Sequence, residues 1–464
     1  MVPKSFAQAD EKFDNFTKQI ITILPDGNSD NLRSSSVVRF TLPPGSTFSL
    51  ANLALHLNVA IPRFAQQIGQ GLTATPSVPP PTATRSHTIY PPKYIASIIQ
   101  TITIYANGSI IQQISDYNVI VNIMTDFQKT NSKGRILSNS AGVAVANLAF
   151  DNTTVVNQSD YVITDWFGLM GSAETKETSG NLIDTNFLGN VVLEFQFARP
   201  NVLGRSNVNT VSNPAAGVHS GTGAAAFGHL DTAAIQNALN NVDFIVSNLR
   251  LSVERLSLDP AVYDSMNQVM KSGGSDVMFN HYSIFKGNGG VSSGNMRISV
   301  NSQSIKYVMG YFEDSTKGLP QPMLFDLTTR SSSFFTRLGA NFTNAIWTVG
   351  STNVPVNPMG LSETFTNTLR LYGDKTSIDN RYCDALDTLE KWRSSFMVTP
   401  LSLEYSNDWK STSKLDSGLS TESLPLNITF TYNLSAATND IPCILVVTNR
   451  KLIIRDGVNL QVDI

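Results

Sequence analysis

The feature that most constrains the fold is a supersecondary pattern that the chain carries twice. Residues 97–127 read SIIQTITIYANGSIIQQISDYNVIVNIMTDF, and residues 363–392 read ETFTNTLRLYGDKTSIDNRYCDALDTLEKW. In both segments apolar residues first alternate, a polar turn follows, alternation resumes, and the spacing then lengthens to that of a helix. The pattern predicts strand, turn, strand and helix at two places in one chain. A β-rich unit duplicated in this way is more typical of a building block than of a catalyst.

The two segments share residue types at corresponding positions, although few residues are identical. The matched positions are Ile102 and Ile104 with Leu369 and Leu371 in the first strand, Asn107-Gly108 with Gly373-Asp374 in the turn, Ile114 with Ile378 in the second strand, and Tyr117, Ile120, Ile123, Met124 and Phe127 with Tyr382, Leu386, Leu389 and Trp392 in the helix. Each half also closes with a short strand, a connection and a long strand. The connection spans 199–241 in the first half and about 433–441 in the second, and the long strand of the first half is expected to bulge near Asn248. We therefore predict two halves built on one plan.

Composition bounds the kind of partner that the chain can bind. The 464 residues suffice for two or more cores, and only 15% of them are charged, with a formal net charge of −3. Binding of nucleic acid without sequence preference needs a stripe of Lys and Arg residues, and this sequence has none. The N-terminus has no apolar signal region, and apolar runs such as residues 442–447 fall short of the roughly 18 residues that a membrane-spanning helix needs. We expect neither classical secretion nor sequence-specific binding of nucleic acid.

Four segments are predicted along the chain: an N-terminal arm (1–36), a first sandwich (37–258), a connecting helix (259–274) and a second sandwich (275–464). Asp259-Pro260 is a typical helix start for the connector. The arm is expected to hold an amphipathic helix, whose apolar face consists of Phe13, Phe16, Ile20, Ile21 and Leu24. That face predicts burial, either as an anchor on a neighbouring molecule or lipid surface or against the arm's own domain.

Motifs that carry chemistry are sparse. The histidines, which show no metal-ligand spacing, are His56, His87, His219, His229 and His281. Cys383 and Cys443 are the only cysteines, so no disulfide framework or thiolate cluster is expected. HExxH and phosphate-binding glycine motifs are missing from the sequence, and its one GxSxG string, GVSSG at 290–294, adjoins the glycine cluster at 287–290 that we interpret as a turn. We predict no catalytic residues, no metal and no cofactor, although a carboxylate pair for glycoside hydrolysis stays open because its members can be distant in sequence.

The predicted fold is all-β, with two tandem eight-stranded antiparallel jelly rolls and a few short helices. In this arrangement the segment TITIYANGSIIQQISDYNVI (101–120) and the run FIVSNLRLSVERLSLDPAVY (244–263) are similar to parts of a known family. The chain resembles, over about 37–464, the double jelly-roll major capsid proteins of icosahedral DNA viruses. That lineage includes adenoviruses, virophages, Polinton-like viruses, large algal viruses and membrane-containing bacteriophages.

The resemblance implies a structural role in the virion, in a shell assembled inside the host cell, and no enzymatic activity. It implies a homotrimer with a pseudo-hexagonal outline, because three chains supply six similar rolls. Implied partners are neighbouring capsomers, penton and minor capsid proteins, and an internal membrane reached through the N-terminal arm. The loops at 62–93, 199–241 and 313–362 are then expected at the outer end.

Two other classes of function remain open from the residues alone. A carbohydrate-binding or adhesive β-sandwich protein would also have a surface rich in Asn and Thr. A hydrolase on a β scaffold would need a carboxylate pair in a groove, which a single sequence does not reveal.

Overall fold

The computed structural model describes the following parts of the chain: residues 16–27, 31–60, 84–128, 146–148, 154–156, 159–171, 182–210, 242–261, 263–265, 268, 275–318, 323–326, 331–372, 384–386, 388–403, 418–421, 427–437, 440–455 and 459–463. The strands of the first half are β1 (Phe16–Ile23), β2 (Leu32–Arg33), β3 (Val37–Thr41), β4 (Thr47–Ala60), β5 (Thr84–Tyr90), β6 (Ile99–Ala106), β7 (Ser109–Ile114), β8 (Ala146–Leu148), β9 (Thr154–Val156), β10 (Ser159–Ile163), β11 (Leu182–Asp184), β12 (Val191–Phe197), β13 (Gly204–Thr210) and β14 (Ile245–Leu258).

The second half continues with strands of the same kind. They are β15 (Ser275–Lys286), β16 (Ser293–Ser299), β17 (Ile305–Glu313), β18 (Met323–Asp326), β19 (Ser331–Ser332), β20 (Phe342–Val349), β21 (Thr352–Gly360), β22 (Thr399–Ser402), β23 (Asn427–Leu434), β24 (Ile441–Arg455) and β25 (Asn459–Asp463). The α-helices that the structure describes over their full length are α1 (Tyr117–Gln128), α2 (Thr185–Leu188), α3 (Leu361–Tyr372) and α4 (Leu389–Ser395). Single 3₁₀ turns lie at Ile95–Ile98, Gly168–Met170, Pro200–Val202, Ser315–Gly318, Ser333–Phe335 and Asp384–Leu386.

Each half forms a sandwich of two antiparallel sheets with four main strands each; β2 and β11 add to one sheet of the first half, and β25 adds to one sheet of the second. In the first, β1-β14-β4-β10 packs on β3-β12-β6-β7; in the second, β15-β24-β17-β22 packs on β16-β23-β20-β21. The eight strands occur in the same chain order in both, so that β1 corresponds to β15, β4 to β17, β7 to β21 and β14 to β24. A helix follows the corresponding edge strands β7 and β21 in both halves. The prediction of two tandem eight-stranded jelly rolls is confirmed.

Alternating side chains fill the space between the sheets. β12 shows the pattern most clearly, since every second residue from Val191 to Phe197 is buried. In the first sandwich Trp166 joins the two sheets, because its indole nitrogen donates to Leu53 O at 2.8 Å while its ring lies 5.5 Å from Phe195. In the second sandwich the ring of Phe312 lies 6.1 Å from that of Phe430 on the facing sheet.

Three local predictions hold because the residues dictate the backbone. Asn107 and Gly108 both have positive φ angles, as a two-residue hairpin between β6 and β7 requires. Asn248 has a φ of 52°, and the register of β14 against β4 shifts between Ser247 and Arg250, which is the expected bulge. At the connector, the Ala261 N–H donates to the Asp259 carboxylate at 2.9 Å, and the described residues from Pro260 to Gln268 are helical.

The second copy of the sequence repeat was placed wrongly at 363–392. Leu369 and Leu371 lie in α3 and not in a strand, whereas the structural counterpart of 97–127 is β20, β21 and α3, residues 342–372. The spacing of Leu361, Phe365 and Leu369 is helical, and these three side chains pack against the core. The sequence of β21, TNVPVNPMG, gives a weak strand signal, because only Val354 and Val356 alternate and two prolines interrupt it; its first seven residues are exposed. The predicted turn and strand at 373–383 lie outside the described residues.

The amphipathic helix predicted for the arm is wrong where the structure describes it. Residues Phe16–Ile23 form β1, which pairs antiparallel with β14 and belongs to the first sandwich, so the arm does not extend to residue 36. In a strand, neighbours face opposite ways, and Ile20 is 75% exposed while Ile21 packs against the core. The apolar spacing of the segment FTKQIITI fits both a helix and a strand. The segment is rich in β-branched residues, which favour a strand, and its pairing with β14 stabilises that conformation. Phe13 lies outside the described residues.

Parts of the predicted loops, together with β8 and β9, form a fifth sheet, which we call the cap sheet: β19-β18-β13-β5-β8-β9. β13 from the first half pairs in parallel with β18 from the second, so the cap sheet joins the two halves. Its strand β5 follows the end of β4 at Ala60, and β13 precedes the start of β14 at Ile245; Ala60 and Ile245 pair with each other. Residues 342–360, which the sequence placed in an outer loop, are instead strands of the second sandwich.

The strand assignment of β1 makes a prediction that a helix would not. Ile21→Asp should lower the free energy of unfolding of the monomer by about 1–3 kcal/mol, because it places a charge on the core side of β1. Ile20→Asp should change it by less than about 0.5 kcal/mol, because that side chain faces solvent. Urea unfolding of both variants at concentrations where the chain is monomeric tests this, and equal losses would contradict the strand.

Candidate functional site

The clearest candidate for a functional surface is the contact between the two sandwiches, which we call the seam. Phe312 points into the second sandwich, so its neighbours Met309 and Tyr311 on β17 point to the outer side of the sheet. An outer side is normally exposed in a two-layer sandwich, yet both residues are fully buried. The second sandwich therefore has one sheet with both faces covered.

The first sandwich covers that outer side. Tyr282 on β15 makes an edge-on contact with Phe167 at a centroid distance of 5.9 Å, and Tyr307 on β17 lies 3.7 Å from the sulfur of Met124 on α1. On β24 the residues of the same side are Cys443, Leu445 and Val447, all completely buried. Aromatic and aliphatic packing of this kind resembles an obligate interface rather than a transient one.

The edge strand β7 of the first sandwich is also part of the seam. Gln112 of β7 donates to the backbone oxygen of Asn280 on β15 at 3.0 Å, and it accepts from the N–H of Leu169 at 2.7 Å. Helix α1 is enclosed behind it, since every residue from Tyr117 to Phe127 is buried. The edge of one sandwich is thus protected by the face of the other.

A buried ion cluster fixes the two halves at one end of α1. Arg337 of the second half pairs with Asp126 of the first at 2.9 Å, and it is 1% exposed. Its guanidinium lies 5.3 Å from the ring centre of Phe127 and 5.5 Å from that of Phe396. Asp126 also accepts from Tyr94 at 2.8 Å and lies 3.4 Å from the Lys93 ammonium. The carboxylate therefore has the several partners that a buried charge needs.

A second ion cluster lies on the same outer side of β17. Glu313 is buried between Lys317 at 3.6 Å and Lys286 at 3.5 Å, and Lys286 also reaches Asp116 of the first half at 3.6 Å. Burial alone would raise the pKa of Glu313, but the attraction of Lys317 and then Lys286 outweighs it and holds the pKa below its ordinary value. Glu313 is thus held as a carboxylate that contributes to the seam.

Residues that could support other chemistry do not converge among those that the structure describes. No three His, Cys, Asp or Glu side chains of this part of the chain are grouped as metal ligands, and none of its helices is long and apolar enough to cross a membrane. His56 lies 3.1 Å from the Ser252 hydroxyl, and His281 is buried on β15. Burial raises the pKa of the Cys443 thiol far above its usual range. His219, His229 and Cys383 lie outside the described residues.

Two surfaces that correspond to the two sides of the seam carry exposed residues. On the second sandwich, residues 352–358 of the edge strand β21 are exposed, including Val356 at 80%, and one side of α3 is exposed beside them. On the first sandwich, the outer side of the β1-β14-β4 sheet carries exposed Ile20 and the Lys18–Glu254 ion pair at 2.9 Å. Of the predicted anchor residues, Ile20 and Leu24 are exposed, whereas Ile21 is not.

Comparison with known proteins finds a shared fold. No family model and no curated protein matches the sequence. The structure matches the quasi-atomic model of the PBCV-1 virus capsid at a TM-score of 0.56 and 10% identity, over 97% of both chains. It matches the Faustovirus major capsid protein at 0.55 and 10% identity, over 96% of this chain and 91% of that one. It also matches the cryo-EM structure of the Sputnik virophage at 0.52 and 11% identity, over 96% and 88%. At such identities the likeness concerns the fold, and it confirms the double jelly roll.

The seam predicts an unequal effect of two carboxylate substitutions. Asp126→Asn should lower the free energy of unfolding by about 3–5 kcal/mol, because it leaves Arg337 and Lys93 buried without their counter-charge. The control is Glu194→Gln, whose partner Arg39 is solvent-exposed and lies within the same sandwich, and its loss should be much smaller. Urea unfolding measures both, and losses of similar size would show that the buried pair does not hold the seam.

Proposed function

We propose that this protein is the major capsid protein of an icosahedral DNA virus, and that three copies form a pseudo-hexagonal capsomer that tiles the shell. The observation that carries the proposal is the fold match, which extends over nearly the whole length of both chains in comparisons with virus capsid proteins. A fold can serve several functions, so the duplication adds separate support. Two equal sandwiches per chain make a block with similar lateral faces, as a tile requires.

The duplicated architecture supports three copies as the proposed number. Each chain contributes two similar rolls side by side, and three chains contribute six around a closed ring. The uncovered faces on the two sandwiches are different, so a contact between them would be heterologous, and a heterologous contact that closes forms a cyclic oligomer. The low proportion of charged residues is compatible with burial at contacts between copies. Amide and hydroxyl groups can be buried there without leaving unpaired charges in the interface.

The strand directions supply an orientation for the capsomer. β1 begins at Phe16 opposite Leu258, at the end of the first sandwich where the connector starts. The cap sheet is attached at the other end, beyond the paired residues Ala60 and Ile245. In the proposed shell the rolls stand upright, the cap sheet faces outward and the chain before β1 extends inward. Neighbouring capsomers contact the sides, and penton and minor capsid proteins or an internal membrane are the proposed partners of the arm.

Solution mass tests the trimer. Light scattering should give about 152 kDa, three times the 50.5 kDa of the chain, and electron microscopy should show three-fold particles with a six-sided outline. Assembly into closed shells in infected or co-expressing cells should place the protein in the particle wall. A folded monomer that stays at the chain mass at all concentrations and binds glycans would contradict the capsid function and favour the adhesive alternative.

The arm is tested by deleting residues 1–15, which precede β1. The variant should keep the trimer mass and its urea midpoint, because every strand of the first sandwich remains. It should form fewer shells, or shells of abnormal size, if the arm binds partners on the inner side. A deletion of residues 1–24 is the contrasting variant, since it also removes β1 and should lower the unfolding midpoint. Normal shells from the shorter deletion would show that the arm is not an anchor.

A further inference from the structure

Three neighbouring residues on the inner side of the second sandwich each have a buried polar atom without a hydrogen-bond partner. The atoms are Nδ1 of His281 on β15, and Oγ1 of Thr448 and Nε of Arg450 on β24. The side chains of His281 and Thr448 lie in residues that are only 8% and 5% exposed. A buried polar atom without a partner costs about 1–3 kcal/mol, so three of them in one place require an explanation.

The pairing of β15 with β24 brings the three side chains together. His281 lies directly opposite Thr448, and Arg450 lies two residues further along β24, opposite Phe279. Tyr282, which follows His281, points to the seam on the outer side of the sheet, so His281 and its neighbours on β24 point into the sandwich. Directly opposite residues are about 4.5–5.5 Å apart at Cβ and diagonal ones about 7–8 Å, distances that one small molecule can bridge.

Arg450 brings a positive charge that no carboxylate compensates in the part of the chain that the structure describes. Burial lowers the pKa of Arg450, and no acidic group opposes this effect. Burial, and after it the charge of Arg450, lowers the pKa of His281 to about 3, so the imidazole is neutral at physiological pH. The three side chains together therefore carry one positive charge, and each of them can donate a hydrogen bond.

The first sandwich shows that the jelly roll does not need polar residues at the inner side of these strands. β1 and β14 correspond to β15 and β24, and their inner side carries the cross-strand pairs Ile21 with Val253 and Ile23 with Leu251. Val253 and Leu251 are completely buried. Since apolar residues fill this place in one copy of the fold, the polar group in the other copy is evidence for a bound molecule rather than for a requirement of folding.

We propose that His281, Thr448 and Arg450 bind a small tetrahedral oxyanion, such as inorganic phosphate or sulfate, inside the second sandwich. The charge of Arg450 favours an anion over water, and three donors from three side chains match an ion that has several acceptor oxygens. Arg450 is partly exposed, so the ion can enter from its side while the chain stays folded. A bound ion stabilises the second sandwich in a monomer and in an assembly alike, so the site does not depend on the capsid function.

Urea unfolding of the full chain in sodium phosphate and in sodium chloride of equal ionic strength tests the site. About 10 mM phosphate should lower the unfolding equilibrium constant of the wild type about tenfold, which corresponds to a dissociation constant of about 1 mM. Arg450→Gln removes the charge and should abolish this response. Thr448→Val removes one donor with little change of shape, so it should weaken the response while the variant stays as stable as the wild type in chloride.

The matched control is Arg297→Gln, because Arg297 is an exposed arginine on β16, outside the site. It should keep the full phosphate response, and circular dichroism should show that the variants are folded. Thr448→Val decides the question by itself where Arg450→Gln fails to fold. Equal phosphate responses of the wild type and the site variants would be a general salt effect and would overturn the site. A wild type with the same stability in phosphate and in chloride would also overturn it.

Discussion

The structure depends on the burial of both faces of the β15-β24-β17 sheet. A sheet in a two-layer sandwich needs only one apolar face, but here the outer side is also built from aromatic and aliphatic residues such as Tyr311 and Leu445. Fully burying such a side chain stabilises a fold by about 1.5–3 kcal/mol, so leaving this side in water would be costly. The first sandwich supplies the only cover for it among the described residues. The Asp126–Arg337 pair then selects one arrangement of the two halves, because a buried charge requires its partner.

The two sandwiches share one topology, but the outer sides of their corresponding sheets carry different residue types. The outer side of the second sandwich is apolar and covered by the first, whereas that of the first is polar, with Lys18 and Ile20 exposed and Glu254 buried. A chain with this asymmetry can fold alone without exposing a large apolar patch. The cap sheet adds a second tie between the halves through the parallel pairing of β13 and β18. These features suit a rigid block, as the proposed capsid function requires.

Part of this architecture could be predicted from the sequence, namely the places where one or two residues determine the backbone conformation. The Asn107-Gly108 hairpin, the bulge at Asn248 and the cap at Asp259 each follow from one or two residues. The predictions are wrong where the apolar spacing fits both a helix and a strand, or fits neither. β1 has apolar residues at both helical and strand spacing, and only its pairing with β14 settles the choice. β21 is exposed and carries two prolines, so it gives a weak strand signal, and the repeat was shifted to the helix after it.

The seam could have been found from one signal. Residues 442–447, PCILVV, form a continuous apolar run in a protein whose other strands mostly alternate, and such a run is typical of a strand buried on both faces. Hydrogen exchange measured strand by strand is the most direct test of the account. We predict that the amides of β24 and of α1 are strongly protected at every protein concentration, because the seam that encloses α1 forms within one chain. Exchange in α1 that slows only when the chain oligomerises would contradict the account.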